Sequence, residues 1–404
     1  MSNPFERPYA DLKVIELAGD PAGEMTGYLL SQMGAEVIKV EPPEGSPTRA
    51  IGPWLHGETG PDSSLTYWYY NSNKRSAVLD YRSAAGLKTL EALLADADIF
   101  ICTLQPKALK AAGIDHAALS ARFPDLIIVS VTAFGLTGPW ADYKSSELVA
   151  LAAGGPLHMC GYDDHAIPPI LPGGNQASHI AASFAHKALL VALIDRQMTG
   201  KGQLVDVAMH EACAVTVELA NPYWFYPKAI VQRQTCRHAQ PVRTQPALFE
   251  SADGKYLYFV LVVAEAKPWA NLVAWMESHG MAADLTDEAF KDFAYRQANY
   301  AHVQEMVECF FLVNDAETMF HEGQARELPI AIINAPEELF TDRHNIERKF
   351  FVDVAHEGVG TFPYPGAPYS FSAFSPVARR RAPKLGEHTD EVLGALAAQA
   401  VAAK

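Results

Sequence analysis

A short polar segment stands directly before a long apolar stretch. Its polar residues are Asn175, Gln176, Ser178 and His179. Residues 176–198 are rich in Ala, Leu and Ile, which predicts a buried helix that is hydrophobic on nearly all sides. The free N–H groups at a helix start favour a developing negative charge, as in acyl transfer. The segment has no carboxylate to accept an acyl group, since an asparagine amide is a poor nucleophile and a serine ester is too stable to pass its acyl group on easily.

The first third of the chain alternates between strand and helix patterns. Strands are predicted at 12–17, 36–41, 76–80, 99–102 and 126–131, and helices at 25–34, 83–95 and 115–122. This alternation predicts a doubly wound α/β domain with parallel strands. Ligands of such folds bind at the carboxyl ends of the strands, so the following loops are expected to line one cleft: 18–23, 41–49, 71–75 and 103–107.

The second half of the chain has a different pattern. Residues 222–246 are rich in aromatic and basic side chains and are predicted to form an irregular linker. Residues 255–263 have a strand pattern, and residues 268–320 are mostly helical in pattern. From about residue 328 the sequence returns to strand and loop, with many prolines.

Composition and local sequence patterns argue against several classes of protein. A net charge of −15 argues against a nucleic-acid partner, although a few local cations would suffice for a phosphorylated ligand. The five cysteines have no paired spacing, so no metal site is expected. The turn at 18–23 lacks the GxGxxG pattern of nicotinamide enzymes. A polar start without a signal-peptide core, and no apolar run of about 18 residues, predict a cytoplasmic protein without membrane contact.

Five motifs in chain order resemble the class III CoA-transferase family, which includes formyl-CoA and carnitine CoA-transferases. The motifs are Gly34–Pro42, Asn71–Ser76, Phe134–Pro139, Thr199–Gln203 with the following Val205–Val207, and Ala382–Thr389. Any one of them could arise by chance, but five in order are specific and cover nearly the whole chain.

The resemblance implies a fold and a reaction. The fold is a large Rossmann-like domain from both chain ends, with a small α+β domain inserted and two chains interlocked in a dimer. We therefore predict three segments: 1–222, the first part of the large domain; 223–327, linker and small domain; and 328–404, the return to the large domain. The reaction moves CoA between two carboxylic acids through a mixed anhydride and a thioester on an enzyme carboxylate, with CoA thioesters as substrates rather than covalent cofactors.

The resemblance also maps site residues onto this chain. The nucleophilic aspartate falls at Ser178, or at its neighbours Asn175 and His179 if the alignment slips, and none of these is a carboxylate. Candidate CoA-binding residues are Lys39, Lys74, Arg75, Thr103, Gln105 and Lys144. Two arginines that often hold the cofactor are replaced here, by Pro42 and by Gln105, which puts CoA binding by this chain in question.

Three interpretations stay open at the level of sequence. The favoured one is a non-catalytic subunit that works with a paralogous, aspartate-bearing subunit. The second is a racemase-type enzyme in which His179 and Glu147 act as an acid–base pair on an acyl-CoA. The third is an active homodimer with a displaced nucleophile at Asp163 or Asp164, although Asp-Asp-His is typical of a solvated loop. The acid substrates are not identified by any motif.

Overall fold

The computed structural model describes residues 7–261 and 264–402 and contains a parallel six-stranded sheet. The strands are β1 (Lys13–Leu17), β2 (Glu36–Glu41), β3 (Arg75–Val78), β4 (Ile99–Cys102), β5 (Ile127–Thr132) and β6 (Leu204–Ala208). Their order is β3-β2-β1-β4-β5-β6, and all neighbours are parallel. This is the doubly wound Rossmann-like arrangement, with its switch point between β1 and β4, so the predicted fold class is confirmed.

Helices cover both faces of this sheet. The helices of this part of the chain are α1 (Pro21–Gln32), α2 (Leu65–Tyr70), α3 (Ala84–Leu94), α4 (Pro106–Ala112), α5 (His116–Arg122), α6 (Glu147–Gly154), α7 (Pro156–Met159), α8 (Gln176–Thr199) and α9 (Met209–Val215). Polar side chains fix several helix starts, since Asp20, Ser83 and Asp115 each accept a hydrogen bond from a backbone N–H in the first turn of α1, α3 and α5. The predicted helices at 83–95, 115–122 and 176–198 are confirmed.

Helix α8 packs against α1, β5 and β6 through a face of small residues. Ala181, Ala185 and Leu189 on this face are fully buried. The opposite face is open, with Val191 at 67% and Met198 at 75% exposure, so the prediction of burial on all sides was wrong for this half of the helix. Helix α8 is long and apolar enough to cross a membrane by length and composition, but the core helix of a globular domain passes the same test.

The sequence motifs at 199–203 and 382–389 have structural roles. Gly200 ends α8 in the left-handed conformation at φ 71°, and a Cβ at Gly202 would lie 2.1 Å from the Leu126 carbonyl oxygen. The C-terminal motif lines the edge of β3, where Ser76 Oγ accepts from the Gly386 N–H at 2.9 Å and Thr389 Oγ1 accepts from the Val78 N–H at 2.9 Å. Both chain ends therefore build the same domain.

The chain divides into two compact units. The first unit consists of the described parts of 1–157, 171–218 and 343–404, and the second of residues 158–170 and 219–342. The second unit contains α10 (Ala220–Phe225), β7 (Gln232–Gln234), β8 (Arg237–Gln240), β9 (Leu248–Glu250), β10 (Tyr256–Phe259), α11 (Ala266–Ser278), α12 (Phe293–Ala298), α13 (Tyr300–Leu312), α14 (Ala316–Ala325) and β11 (Ile330–Ile332). Strands β11, β10 and β9 form an antiparallel sheet that packs on a core containing Trp275, Phe310 and Phe311.

Two details of the second unit differ from the sequence prediction. The predicted irregular linker at 222–246 contains the end of α10 and the hairpin of β7 and β8. The strand predicted at 255–263 is β10, and its predicted end at Val262 and Val263 lies outside the described residues. The domain limits at 222 and 327 stay sequence-based predictions.

The chain then returns to the first unit. Its last elements are α15 (Arg343–Glu347), the antiparallel pair β12 (Phe351–His356) and β13 (Gly360–Pro365), and α16 (Thr389–Ala402). Short 3-10 turns lie at Pro47–Ala50, Leu55–Gly57, Ala283–Thr286, Glu288–Lys291 and Pro336–Phe340.

Candidate active site

The polar segment singled out in the sequence begins α8, as predicted. Asn175 occupies the N-cap position, and α8 starts at Gln176. Because α8 leads into β6 through a short connection and packs on the sheet, its start lies at the carboxyl edge, where ligands of parallel sheets bind.

Ser178 is buried and bonded to an acid from another helix. Its exposure is 2%, and its hydroxyl donates a hydrogen bond to Oε1 of Glu147, the first residue of α6. The same carboxylate accepts from the Ala177 N–H at 2.8 Å and from the Ser178 N–H at 3.1 Å. Glu147 of α6 therefore caps the start of a different helix, α8, and the positive end of the α8 dipole stabilises its charge.

Asn175 and His179 share one partner, the Tyr70 hydroxyl. Asn175 Nδ2 donates to Tyr70 Oη at 2.9 Å, and the same hydroxyl is hydrogen-bonded to His179 Nε2 at 3.1 Å. Burial lowers the pKa of His179, against an opposing effect of the Glu147 charge, so the imidazole is neutral at physiological pH. Burial also raises the pKa of Tyr70 to about 12, although the Asn175 hydrogen bond opposes this.

The predicted acid–base pair is not assembled as a bonded pair. Among the described contacts, the Glu147 oxygens bind the first turn of α8 and His179 Nε2 binds Tyr70, and none joins Glu147 to His179. Since the acid and the base of such a pair must both face the substrate, an imidazole hydrogen-bonded to Tyr70 and a carboxylate held by α8 do not favour the racemase-type interpretation.

The acids considered as displaced nucleophiles belong to the second unit and have structural partners. Asp163 forms an ion pair with Arg237 and lies 3.6 Å from the Arg243 guanidinium. Asp164 is exposed and accepts from the Ala166 N–H at 2.9 Å, as in a solvated turn.

Two of the predicted CoA-binding lysines lie inside the first unit. The Lys39 and Lys74 side chains have no exposed surface. Lys39 Nζ lies 2.8 Å from Glu24 and 3.2 Å from Glu16, while Lys74 Nζ lies 2.8 Å from Glu16. Burial alone would lower the pKa of Lys39, but the surrounding carboxylates outweigh it and raise the pKa; for Lys74, burial lowers the pKa. Each ammonium neutralises buried carboxylates and does not reach the surface.

The other four predicted residues lie nearer to the surface. Arg75 forms ion pairs with Glu36 and with Glu391, the latter at 3.0 Å. Thr103 Oγ1 accepts from the Gly19 N–H at 3.0 Å, and Gln105 Nε2 donates to the Tyr143 carbonyl at 2.7 Å. Lys144 is exposed in the loop before α6. The structure thus brings Thr103 to the turn after β1 and Gln105 to the loop after β5.

Sequence reasoning missed Tyr70 and the capping role of Glu147. Tyr70 immediately precedes the Asn71–Ser76 motif, so the motif itself was the available signal. In the described part of the chain, no group of three or more His, Cys, Asp or Glu side chains is placed to hold a metal ion.

Comparison with known proteins agrees with this architecture. Residues 9–389 match the sequence model of CoA-transferase family III. The chain belongs to CoA-transferase family III. It is 32% identical to the succinyl-CoA:(R)-benzylsuccinate CoA-transferase subunit BbsE of Thauera aromatica, over 95% of this chain and 93% of that protein. It is 30% identical to the succinyl-CoA–L-malate CoA-transferase beta subunit of Chloroflexus aurantiacus, over 96% of this chain and 93% of that one.

A solved structure of the same family has the same fold. A CAIB/BAIF family protein from Brucella suis superposes with a TM-score of 0.83 at 28% identity, covering 97% of this chain and all of that one. The predicted membership of the class III family is confirmed, and CoA thioesters are the substrates on which CoA-transferases of this family act.

Proposed function

We propose that this chain is the non-catalytic subunit of a heteromeric CoA-transferase, and that a paralogous chain carries the catalytic aspartate. The observation that carries the proposal is Ser178, where the resemblance places the nucleophile. Ser178 is a buried hydroxyl whose proton is donated to Glu147, and its neighbours Asn175 and His179 are both bonded to Tyr70.

The chemistry explains why a hydroxyl is not enough. Transfer requires a carboxylate that attacks the thioester carbonyl and becomes a mixed anhydride as the CoA thiolate leaves. The thiolate then attacks the enzyme acyl carbon, which releases the first acid and leaves an enzyme thioester for the second acid to attack. Glu147 is a carboxylate at the N-terminal end of α8, but both its oxygens accept hydrogen bonds from the first turn of that helix. A carboxylate stabilised in this way is a weak nucleophile.

The relatives support a partner subunit. The Thauera protein and the Chloroflexus protein are each named as one subunit of their transferase. In an interlocked dimer, the aspartate-bearing chain supplies a complete site, and this chain supplies part of its walls. The exposed apolar face of α8, with Val191, Ile194 and Met198, fits an interface of that kind.

We infer the substrate class from the same relatives. Succinyl-CoA is the donor in both names, and the acceptors are dicarboxylic acids, (R)-benzylsuccinate and L-malate. The higher identity to the benzylsuccinate enzyme favours an aryl-substituted succinate as acceptor, which would place the chain in anaerobic toluene degradation in the cytoplasm.

Purification alone and with a partner tests this proposal. The chain alone should transfer no CoA from succinyl-CoA to benzylsuccinate or malate. Co-expression with an aspartate-bearing paralogue should give a stable one-to-one complex that turns over, and this activity should be lost when the paralogue's aspartate is replaced by asparagine. Turnover by this chain alone, with an acyl group trapped on it by hydroxylamine, would refute the proposal.

A further inference from the structure

The carboxyl edge of the six-stranded sheet is lined by backbone N–H groups that already hold carboxylates of the same chain. In parallel α/β folds, such N–H groups are the usual receptors of ligand phosphates. The pairs are Gly23 N–H with Asp20 at 3.0 Å, Ser46 N–H with Glu41 at 3.0 Å, Lys107 N–H with Asp142 at 2.7 Å, and the Ala177 and Ser178 N–H groups with Glu147 at 2.8 and 3.1 Å.

These contacts lie in the segments that come after four adjacent strands of the sheet. Asp20 follows β1, Glu41 ends β2, Asp142 caps the helix after β4, and Glu147 begins the helix after β5. Glu147 fills the start of α8. A phosphate approaching this edge would have to displace a carboxylate and then lie beside it.

The cations of the same region do not offset this charge. Lys39 and Lys74 are buried against Glu16 and Glu24. Arg49, 3% exposed, donates to Glu41 from Nε at 2.6 Å. The nearby exposed lysines, Lys107 and Lys144, are point charges on flexible stems without the planar fork of an arginine.

The replacement of a guanidinium by Gln105 fits the same picture. Its amide donates to the Tyr143 carbonyl at 2.7 Å and closes the loop after β4 against the loop after β5. The neighbouring Asp142, which caps α4, holds these two loops together a second time. The space in which a diphosphate would lie beside α4 is crossed by the chain's own hydrogen bonds.

We propose that this chain binds no CoA, so that the heteromer holds one acyl-CoA per pair of chains, on the aspartate-bearing paralogue. This inference rests on the proposed function and goes beyond it, because a subunit can lack the nucleophile and still bind the thioester. At a solvated edge, one like charge about 6 Å from a phosphate weakens binding about tenfold, and several such charges act together here.

Titration of the purified complex with CoA tests the stoichiometry. Isothermal titration in the absence of acid substrate should give one CoA per pair of chains. Two CoA molecules per pair with comparable affinity would overturn the inference while leaving the proposed function intact, as long as this chain alone has no turnover. Turnover by this chain alone refutes the proposed function instead, so the two failures are distinguishable.

A matched pair of double variants tests the physical reason. Asp20→Asn with Asp142→Asn removes two charges at the edge while each asparagine can still accept the backbone N–H. Asp115→Asn with Asp315→Asn makes the same chemical change at the N-caps of α5 and α14. The first variant should gain a second CoA-binding event, about 100-fold tighter than any second event in the control variant. Equal titrations of the two variants would overturn the inference.

Discussion

Replacing Glu147 by alanine removes three hydrogen bonds from the first turn of α8. The Ala177 and Ser178 N–H groups lose their acceptor, and so does the Ser178 hydroxyl, which is buried. An N-cap is worth about 1 kcal/mol. A buried hydroxyl left without a partner costs about 1–3 kcal/mol. Loss of the charge–dipole attraction adds about 0.3–1 kcal/mol.

These contributions sum to about 3 kcal/mol in the free energy of unfolding of the first unit. At about 2–4 °C per kcal/mol for a domain of this size, the melting temperature should fall by about 6–12 °C. Glu147→Gln keeps one acceptor oxygen and should lose about half as much. The readout is the thermal unfolding of the purified protein at pH 7, followed by circular dichroism.

The matched control is Glu211→Ala, which removes an exposed acid from the first turn of α9. This variant should melt within about 4 °C of the wild type, because an exposed first-turn acid contributes only about 0.3–1 kcal/mol. If Glu147→Ala and Glu211→Ala have the same melting temperature, the cap that Glu147 forms on α8 contributes nothing to stability, and the structural role assigned to the Glu147–Ser178 contact is wrong.

Three further outcomes are expected. Lys39→Met should lower the free energy of unfolding by about 3–5 kcal/mol in chemical denaturation, since it leaves buried carboxylates unpaired. The control Lys13→Met, at the exposed pair with Asp96, should lower it by less than about 1 kcal/mol. Equal losses in the two variants would contradict the structural role of Lys39. Burial raises the pKa of Asp20 from 3.8 to about 6 despite the Gly23 hydrogen bond, so the folded chain binds this proton more tightly than the unfolded chain. Its contribution to stability should therefore decrease as the pH rises from 3.8 to about 6, and an Asp20→Asn variant whose melting curve keeps the wild-type pH slope would exclude this group. Both the wild type and His179→Ala should leave deuterium exchange at the α-carbon of an acyl-CoA at the rate measured in buffer alone. If the wild type exchanges faster than buffer and His179→Ala does not, the racemase interpretation is revived.

Local patterns in the sequence determined most of the architecture. The runs of β1, β2, β4 and β5 are largely buried in a parallel sheet, and such strands are recognisable because most of their side chains are apolar. The five motifs predicted the family, and the absence of a carboxylate at 175–179 is a property of the sequence alone.

Only the tertiary structure decided what the polar residues do. Glu147 and Ser178 are 31 positions apart, and Tyr70 and Asn175 are 105 apart, so no periodicity links them. The family resemblance mapped Lys39 and Lys74 as candidate CoA-binding residues, and a sequence gives their charge without their burial. The path of the chain buries both of them against Glu16. An unpaired carboxylate is costly in such a desolvated place, and the neighbouring ammonium groups compensate its charge.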